Sequence, residues 1–235
     1  MIPALVALIL SAQDKPAVDL SAEPALRQLF ASASNLHGAH LLISYYRSGS
    51  GDYYLPDHTD DLWLGPVGQF RMEVNSLSGD SASLLVSDGL SVMSDPLDDD
   101  QTIQIDRAGK PMYEVIPREV WAFFVSGPDA FDKFVDKSQP VIFTTASPGQ
   151  KAIELHSKDL GKIVVSYKDG AANPLPTRID LFRSFRRRDN GTESPTPTTK
   201  QYIRVISTGR LPSSLFSVNV PKGKKMEDHR TKIGS

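Results

Sequence analysis

Apolar and polar residues alternate with period two along much of this chain. The clearest stretch is Phe70-Arg71-Met72-Glu73-Val74, followed by turn residues Ser78-Gly79-Asp80 and then by Ala82-Ser83-Leu84-Leu85-Val86 running into Ser87-Asp88-Gly89. Alternation bounded by Gly and Asp predicts antiparallel strands with one buried and one wet face. The same reasoning predicts strands over His40 to Arg47, with Leu41, Ile43 and Tyr45 on one face, and over Tyr53 to Leu64, with Gly49-Ser50-Gly51 as the turn between them. Leu90 to Met93 and Thr102 to Asp106 follow. After an interruption come Val141 to Thr145, Ala152 to His156, Lys162 to Lys168 (Ile163, Val165 and Tyr167 inward), Thr177 to Phe185, Gln201 to Ser207 and Leu215 to Val220. Spacing this rich in turns predicts an antiparallel sheet wound up and down.

Two segments change period. Residues 19–35 predict a helix in which Leu26, Leu29, Phe30 and Ala33 share a face, with Ser21 as N-cap, Pro24 in the first turn and Gly38 past the end. Between Pro117 and Lys137, Pro117 opens a helix with Trp121, Phe124 and Val125 on one side. Gly127-Pro128 breaks it, and Phe131, Phe134 and Val135 repeat the helical spacing. Trp121, Phe123, Phe124, Phe131 and Phe134 place five aromatics within fourteen residues, so this helix pair must cover an apolar surface. A long antiparallel sheet curls, and helices across its concave side bury the inner face. The expected fold is α+β: an unclosed antiparallel half-barrel with an N-terminal helix and a helical lid over the concave face.

Composition narrows the function classes. The 235 residues suit one domain, assigned to 19–225, with 226–235 as a flexible basic tail. A net charge of −2 offers no basic face for nucleic acid. The apolar run from Ile2 to Leu10, then Ser11-Ala12 and polar Gln13-Asp14-Lys15, fits a secretory leader, and residues 1–13 are read as a signal peptide although no Lys or Arg precedes the run. An N-terminal core strand is the alternative. The expected location is periplasmic or secreted. With 0 Cys there is neither a disulfide nor a lipid-bearing thiol, so the core alone must hold the fold.

At this point the residues resemble a known family. Gln69-Phe70-Arg71-Met72-Glu73-Val74 followed by Leu85-Val86-Ser87-Asp88-Gly89 is similar to the "FR-x-E" strand and "VSDG" turn of the outer-membrane lipoprotein carrier (LolA-like) superfamily. Leu211-Pro212-Ser213-Ser214-Leu215-Phe216-Ser217-Val218-Asn219-Val220-Pro221-Lys222-Gly223 resembles its closing segment. The resemblance spans roughly 20 to 225. It implies an unclosed barrel with helices as a lid over a hydrophobic cavity, and carriage of acylated lipoprotein or binding of other lipids. Carrier members place a basic residue just ahead of the proline before the "FR" strand, where it helps latch the lid. Here Leu64-Gly65-Pro66-Val67-Gly68 has none.

The cavity lining expected from these readings is Leu42, Phe70, Met72, Leu84, Val86, Trp121, Phe124, Phe131, Phe134, Ile163 and Val165. The same residues would equally fill a dry core, since apolar alternation is common to both. Acyl chains need no polar partner: burial yields roughly 0.8 kcal/mol per CH₂. Arg71 alternates outward and reads as a solvated or cross-strand residue. His37 and His40 are separated by Gly38, so no metal site is expected. The acidic runs Asp57–Asp61 and Asp98–Asp100 lack a calcium-loop spacing and read as solvated hairpin tips. Gly79-Asp80-Ser81-Ala82-Ser83 fails as a nucleophile elbow, and no phosphate-cradling Gly loop is present. Arg186-Arg187-Arg188 suits a solvated loop with weak peripheral contact to anionic headgroups. The expectation is a monomeric, non-enzymatic, cofactor-free protein whose partner is an acyl chain of a lipid or lipoprotein. The alternative is a sensory or scaffold module of the same fold that binds an envelope protein.

Overall fold

Helix α1 (Glu23–Ser34) opens the computed structural model, which describes residues 21–48, 54–66, 68–77, 81–97, 102–108, 116–127, 129–182 and 197–230. Its buried face is the predicted one, Leu26, Leu29, Phe30 and Ala33. Its start differs from the expected one. Ala22 occupies the cap position without a side-chain cap, and Ser21 instead bridges Ile142, while the Ala22 amide donates to the Val141 carbonyl at 2.9 Å. The first turn is therefore anchored to a strand. Pro24 at the second helical position loses nothing, because amides there have no intrahelical partner.

Among the described residues the strands form one 12-stranded sheet. In chain order they are β1 (Ala39–Ser48), β2 (Tyr54–Leu64), β3 (Gln69–Asn75), β4 (Ser81–Asp88), β5 (Ser91–Asp95), β6 (Ile103–Arg107), β7 (Ile142–Thr144), β8 (Gln150–Ser157), β9 (Gly161–Lys168), β10 (Pro176–Phe182), β11 (Thr199–Thr208) and β12 (Met226–Asp228). The sheet order is β12-β6-β5-β4-β3-β2-β1-β11-β10-β9-β8-β7. Every pairing is antiparallel except β12 with β6. β7 and β12 lie at opposite ends of that order, so the sheet is not closed into a barrel. In the middle of the order β1 pairs with β11, far from it in sequence, with Ile43 opposite Ile203 and Tyr45 opposite Gln201.

The inner face carries one large hydrophobic cluster. It runs from Leu41, Ile43 and Tyr45 through Leu62, Phe70, Met72 and Leu85 on one side to Ile163, Val165, Ile179 and Leu181 on the other, and it packs on α1. A second, smaller cluster lies on the outer face: Val86, Met93, Ile103 and Ile105, with Leu84, Val218 and Val220 against them.

Two expectations near the C-terminus are corrected. Leu215–Val220 is not a strand. Ser213–Phe216 forms a 3-10 turn, and the extended residues after it strap the outer cluster. Pro212 and Pro221 flank this segment and each lacks its own amide, so neither can extend a ladder at its end. Residues 226–228, expected to fray, form β12. The Ile103 amide donates to the Lys225 carbonyl at 2.9 Å, the His229 amide donates to the Ile105 carbonyl at 2.8 Å, and Lys224 pairs with buried Asp95 at 3.0 Å. The leader at 1–13, the turns Gly49-Ser50-Gly51 and Ser78-Gly79-Asp80, the run Asp98–Asp100 and the Arg186–Arg188 loop lie outside the described residues.

Candidate functional site

The lid begins at Pro117, whose extended backbone precedes helix α2 (Arg118–Val120). At Trp121 the ladder widens into a π-helical turn (Trp121–Val125): the Ser126 amide and its hydroxyl both donate to the Trp121 carbonyl at 2.8 Å. Gly127, at φ 81°, ends the segment where other residues would be strained. Helix α3 (Ala130–Phe134) follows. Trp121, Ala122, Phe123 and Phe124 are buried in succession because the segment is covered on more than one side, by Phe70 of β3 against Trp121 and by Phe30 of α1 against Phe123.

The structure brings Phe70, Met72, Trp121, Phe124, Phe131, Phe134, Ile163 and Val165 into the inner cluster beneath α1 and the lid. It excludes three residues expected to line a cavity. Leu42 is out of phase with buried Leu41 and Ile43 and lies on the other face of β1. Leu84 and Val86 belong to the outer cluster, because Leu85, opposite Met72 in the register, holds the inner position on β4. A one-residue slip in reading phase flips every side chain. Sequence reasoning also left Phe123 out of the lining, although it is fully buried.

Aromatic packing fills the middle of the concave face. The Phe30 ring stacks on Phe123 at 4.2 Å between centroids and meets Phe131 edge-on at 5.7 Å, while Phe70 meets Trp121 edge-on at 5.9 Å. Space remains at the margin of the lid. One cleft of about 420 Å³ is floored by Phe70, Trp121 and Phe134, with Arg118, Lys133 and Asp159 at its mouth. Another, of about 350 Å³, lies between Leu36, Leu64 and Phe124. Both clefts share Gly68, Phe70, Val125 and Ser126.

The residues that carried the resemblance build the corner beside these clefts. Ser87 donates its hydroxyl to the Gly68 carbonyl at 2.9 Å, and the Asp88 carboxylate accepts the Leu90 and Ser91 amides at 2.8 and 2.7 Å. Phe216 packs against Gly65 so closely that a Cβ there would lie 2.8 Å from its ring. Arg71 faces outward and pairs with Glu73 on its own strand at 2.5 Å.

A buried polar cluster was not anticipated. The run Asp57–Asp61 is part of β2 and not a hairpin tip, and Asp60 shares the inner phase of Leu62 and Leu64. Asp60, Glu119 on the lid, Gln201 on β11 and Tyr45 on β1 are 0%, 2%, 1% and 3% exposed. Gln201 donates its amide to Glu119. Tyr45 stacks on His58 at 4.1 Å, and His58 stands 3.7 Å from Asp60. Burial pushes the Asp60 carboxyl up to about 6, a shift that Tyr45 and His58 partly oppose. Burial, then the charges of Asp60 and Glu119, raises the Tyr45 phenol well above its ordinary value. The expected inward lining held no carboxylate, whereas the structure places two inside. Period-two phasing from Leu64 back to Asp60 was the available signal.

His37 contacts the Gly65 carbonyl at 3.2 Å, and His40 contacts Asp61 at 2.5 Å while stacking on Trp63. Among the described residues no group of His, Cys, Asp and Glu is arranged to hold a metal, and no helix is long and apolar enough to cross a membrane.

No protein-family model matches the chain, and no curated protein does. Among solved structures, the chain is similar to that of MucB at 13% identity and TM-score 0.43, over 84% of this chain and 62% of that one. It is also similar to the Pseudomonas aeruginosa MucA/MucB complex at 13% identity and TM-score 0.39, over 83% of this chain and 60% of that one. A LolA superfamily protein from Nitrosomonas europaea aligns at 9% identity and TM-score 0.40, over 84% of this chain and 97% of that one. The chain thus spans about three fifths of the MucB chain.

Proposed function

We propose that this chain is an exported, LolA-like, non-catalytic protein of the cell envelope that takes the acyl chain of a lipid or lipidated protein at the margin of its lid. The observation that carries the reading is the pair of clefts meeting at Phe70, Val125 and Ser126, with an aromatic floor and a mouth that bears Lys133 and the Arg118–Asp159 pair. An apolar floor with few polar groups suits a chain whose binding grows by roughly 0.8 kcal/mol per buried CH₂. The leader-like pattern at 1–13 supports export, and a periplasmic location follows from that reading.

The test is extraction of the purified protein for acyl species by mass spectrometry, followed by titration with a fluorescent fatty acid. Val125→Asp, at the half-buried wall shared by both clefts, is expected to weaken probe binding at least tenfold while leaving the unfolding midpoint close to that of the parent. Phe143→Asp, at an exposed edge-strand site, serves as control and should bind normally. Absence of extracted lipid together with absence of probe binding overturns the reading.

One observation favours a second reading. Phe30 and Phe123 fill the middle of the concave face, so a chain lying wholly beneath the lid must displace them. A module with a filled core serves as a sensory or scaffold element that holds an envelope protein on its surface. Capture of one defined envelope protein by lipid-free material would favour that role.

A further inference from the structure

We propose that the lid carries a proton-controlled latch: it docks fully when Asp60 is protonated and loosens when Asp60 is charged. The latch belongs to the lid itself, whether or not the clefts take an acyl chain.

Glu119, in the first turn of the lid, reaches into the sheet and accepts from Gln201 of β11. Asp60 enters the same compartment from β2, facing Tyr45 of β1. Two carboxylates therefore converge on one phenol from different layers, all nearly without solvent contact. Gln201 supplies Glu119 with a donor. The Tyr45 hydroxyl lies within reach of the Asp60 carboxyl and is its hydrogen-bonding neighbour, but their contact falls short of ordinary geometry. A buried charge left in that state is costly, and a second like charge nearby adds to the cost.

A proton on Asp60 removes both difficulties. The carboxylic acid becomes a donor to the Tyr45 oxygen, which frees the phenol hydrogen for Glu119. The chain Asp60–Tyr45–Glu119–Gln201 then ties β2, β1, the lid and β11 together. Loss of that proton leaves two anions sharing an apolar compartment, and the short helix that bears Glu119 is the member that gives way. The charged and titratable groups facing Asp60 are Tyr45 from β1, His58 and Asp61 from β2, and Glu119 from the lid. The carboxyl, raised from 3.8 to about 6 in the docked state, places the loosening between about pH 4 and pH 6: docked below, loosened above.

Hydrogen exchange of the amides in Trp121–Val125, corrected for the pH dependence of chemical exchange, tests this directly. Each unit by which docking raises the Asp60 pKa is a factor of ten in lid opening, so protection is expected to fall about tenfold from pH 5 to pH 8. Protection of β9 should not change over the same range. Asp60→Asn, neutral and still able to donate, should keep the lid protected throughout. His58→Gln should leave the transition in place. Equal protection at both pH values, a parallel loss in β9, a transition surviving in Asp60→Asn, or its disappearance in His58→Gln would each overturn the latch.

Discussion

Phe30 and Phe123 stack with ring centroids 4.2 Å apart and planes 24° from parallel, which joins α1 directly to the π turn of the lid. Neither ring touches solvent appreciably. The contact decides how much room lies under the lid, because it occupies the place where a central hollow would be.

Truncating this ring should do two things. Phe30→Ala is expected to cost about 3–5 kcal/mol of stability, the range for removing a buried aromatic, measured by urea unfolding. It should also open an apolar void between α1 and the lid, so the variant is expected to bind a fluorescent fatty acid more tightly than the parent. A loss below about 1 kcal/mol would mean that Phe30 is not packed as described.

Gly65 and Phe216 make a second close contact, this time between the β2–β3 turn and the C-terminal strap. Gly65 needs no unusual backbone; it needs the absence of a Cβ, which would lie 2.8 Å from the Phe216 ring and 2.9 Å from the Gln69 Cβ. Gly65→Ala should therefore cost about 1–3 kcal/mol through overpacking. Combining it with Phe216→Leu should recover part of that loss relative to the sum of the single changes, a coupling read by a double-mutant cycle.

Much of the fold was legible because its signals are local and periodic. The inner phases of β1 and β9, the buried face of α1 and the aromatic content of the lid all follow from spacing. The errors arose where two phases were both apolar. On β4, Leu84, Leu85 and Val86 are consecutive, so alternation alone does not choose a face; the outer strap of Val218 and Val220 buries the phase that would otherwise be wet. Asp60 was misread for the opposite reason. Its neighbours Asp57 and Asp61 made the segment look solvated and masked the period-two phasing back from Leu64; the pairing of Asp60 opposite Ile43 and Val74 places it in a central strand. Phe123 was missed because the helical spacing that groups Trp121, Phe124 and Val125 leaves it on another side, and that side is covered by Phe30 of α1. β12 was missed because three residues pairing in parallel leave almost no pattern.

Asp60 should also govern how stability varies with pH. Its folded-state pKa, raised from 3.8 to about 6, means that the folded chain holds this proton more tightly than the unfolded chain. The contribution of this group is therefore greatest below about pH 4, declines between about 4 and 6, and stays low above that, a span of at most about 3 kcal/mol. Asp60→Asn should remove that decline and gain roughly 1–3 kcal/mol at pH 7.5 in urea unfolding. An unchanged stability difference between pH 4 and pH 7.5 in the variant would assign the effect to other groups.

The C-terminal strand makes a different kind of claim, about the edge of the sheet. β12 covers β6, and Lys224 reaches the buried carboxylate of Asp95 at 3.0 Å. Lys224→Met should leave Asp95 without its cation and cost about 3 kcal/mol, in the range for breaking a buried pair from one side. Ending the chain after Lys222 should add a second consequence, because the backbone of β6 is then an open edge able to pair with another molecule. Sedimentation velocity should show concentration-dependent association of the truncated chain while Lys224→Met sediments like the parent. A truncated chain with parental stability that sediments independently of concentration would show that β12 neither stabilises nor protects β6.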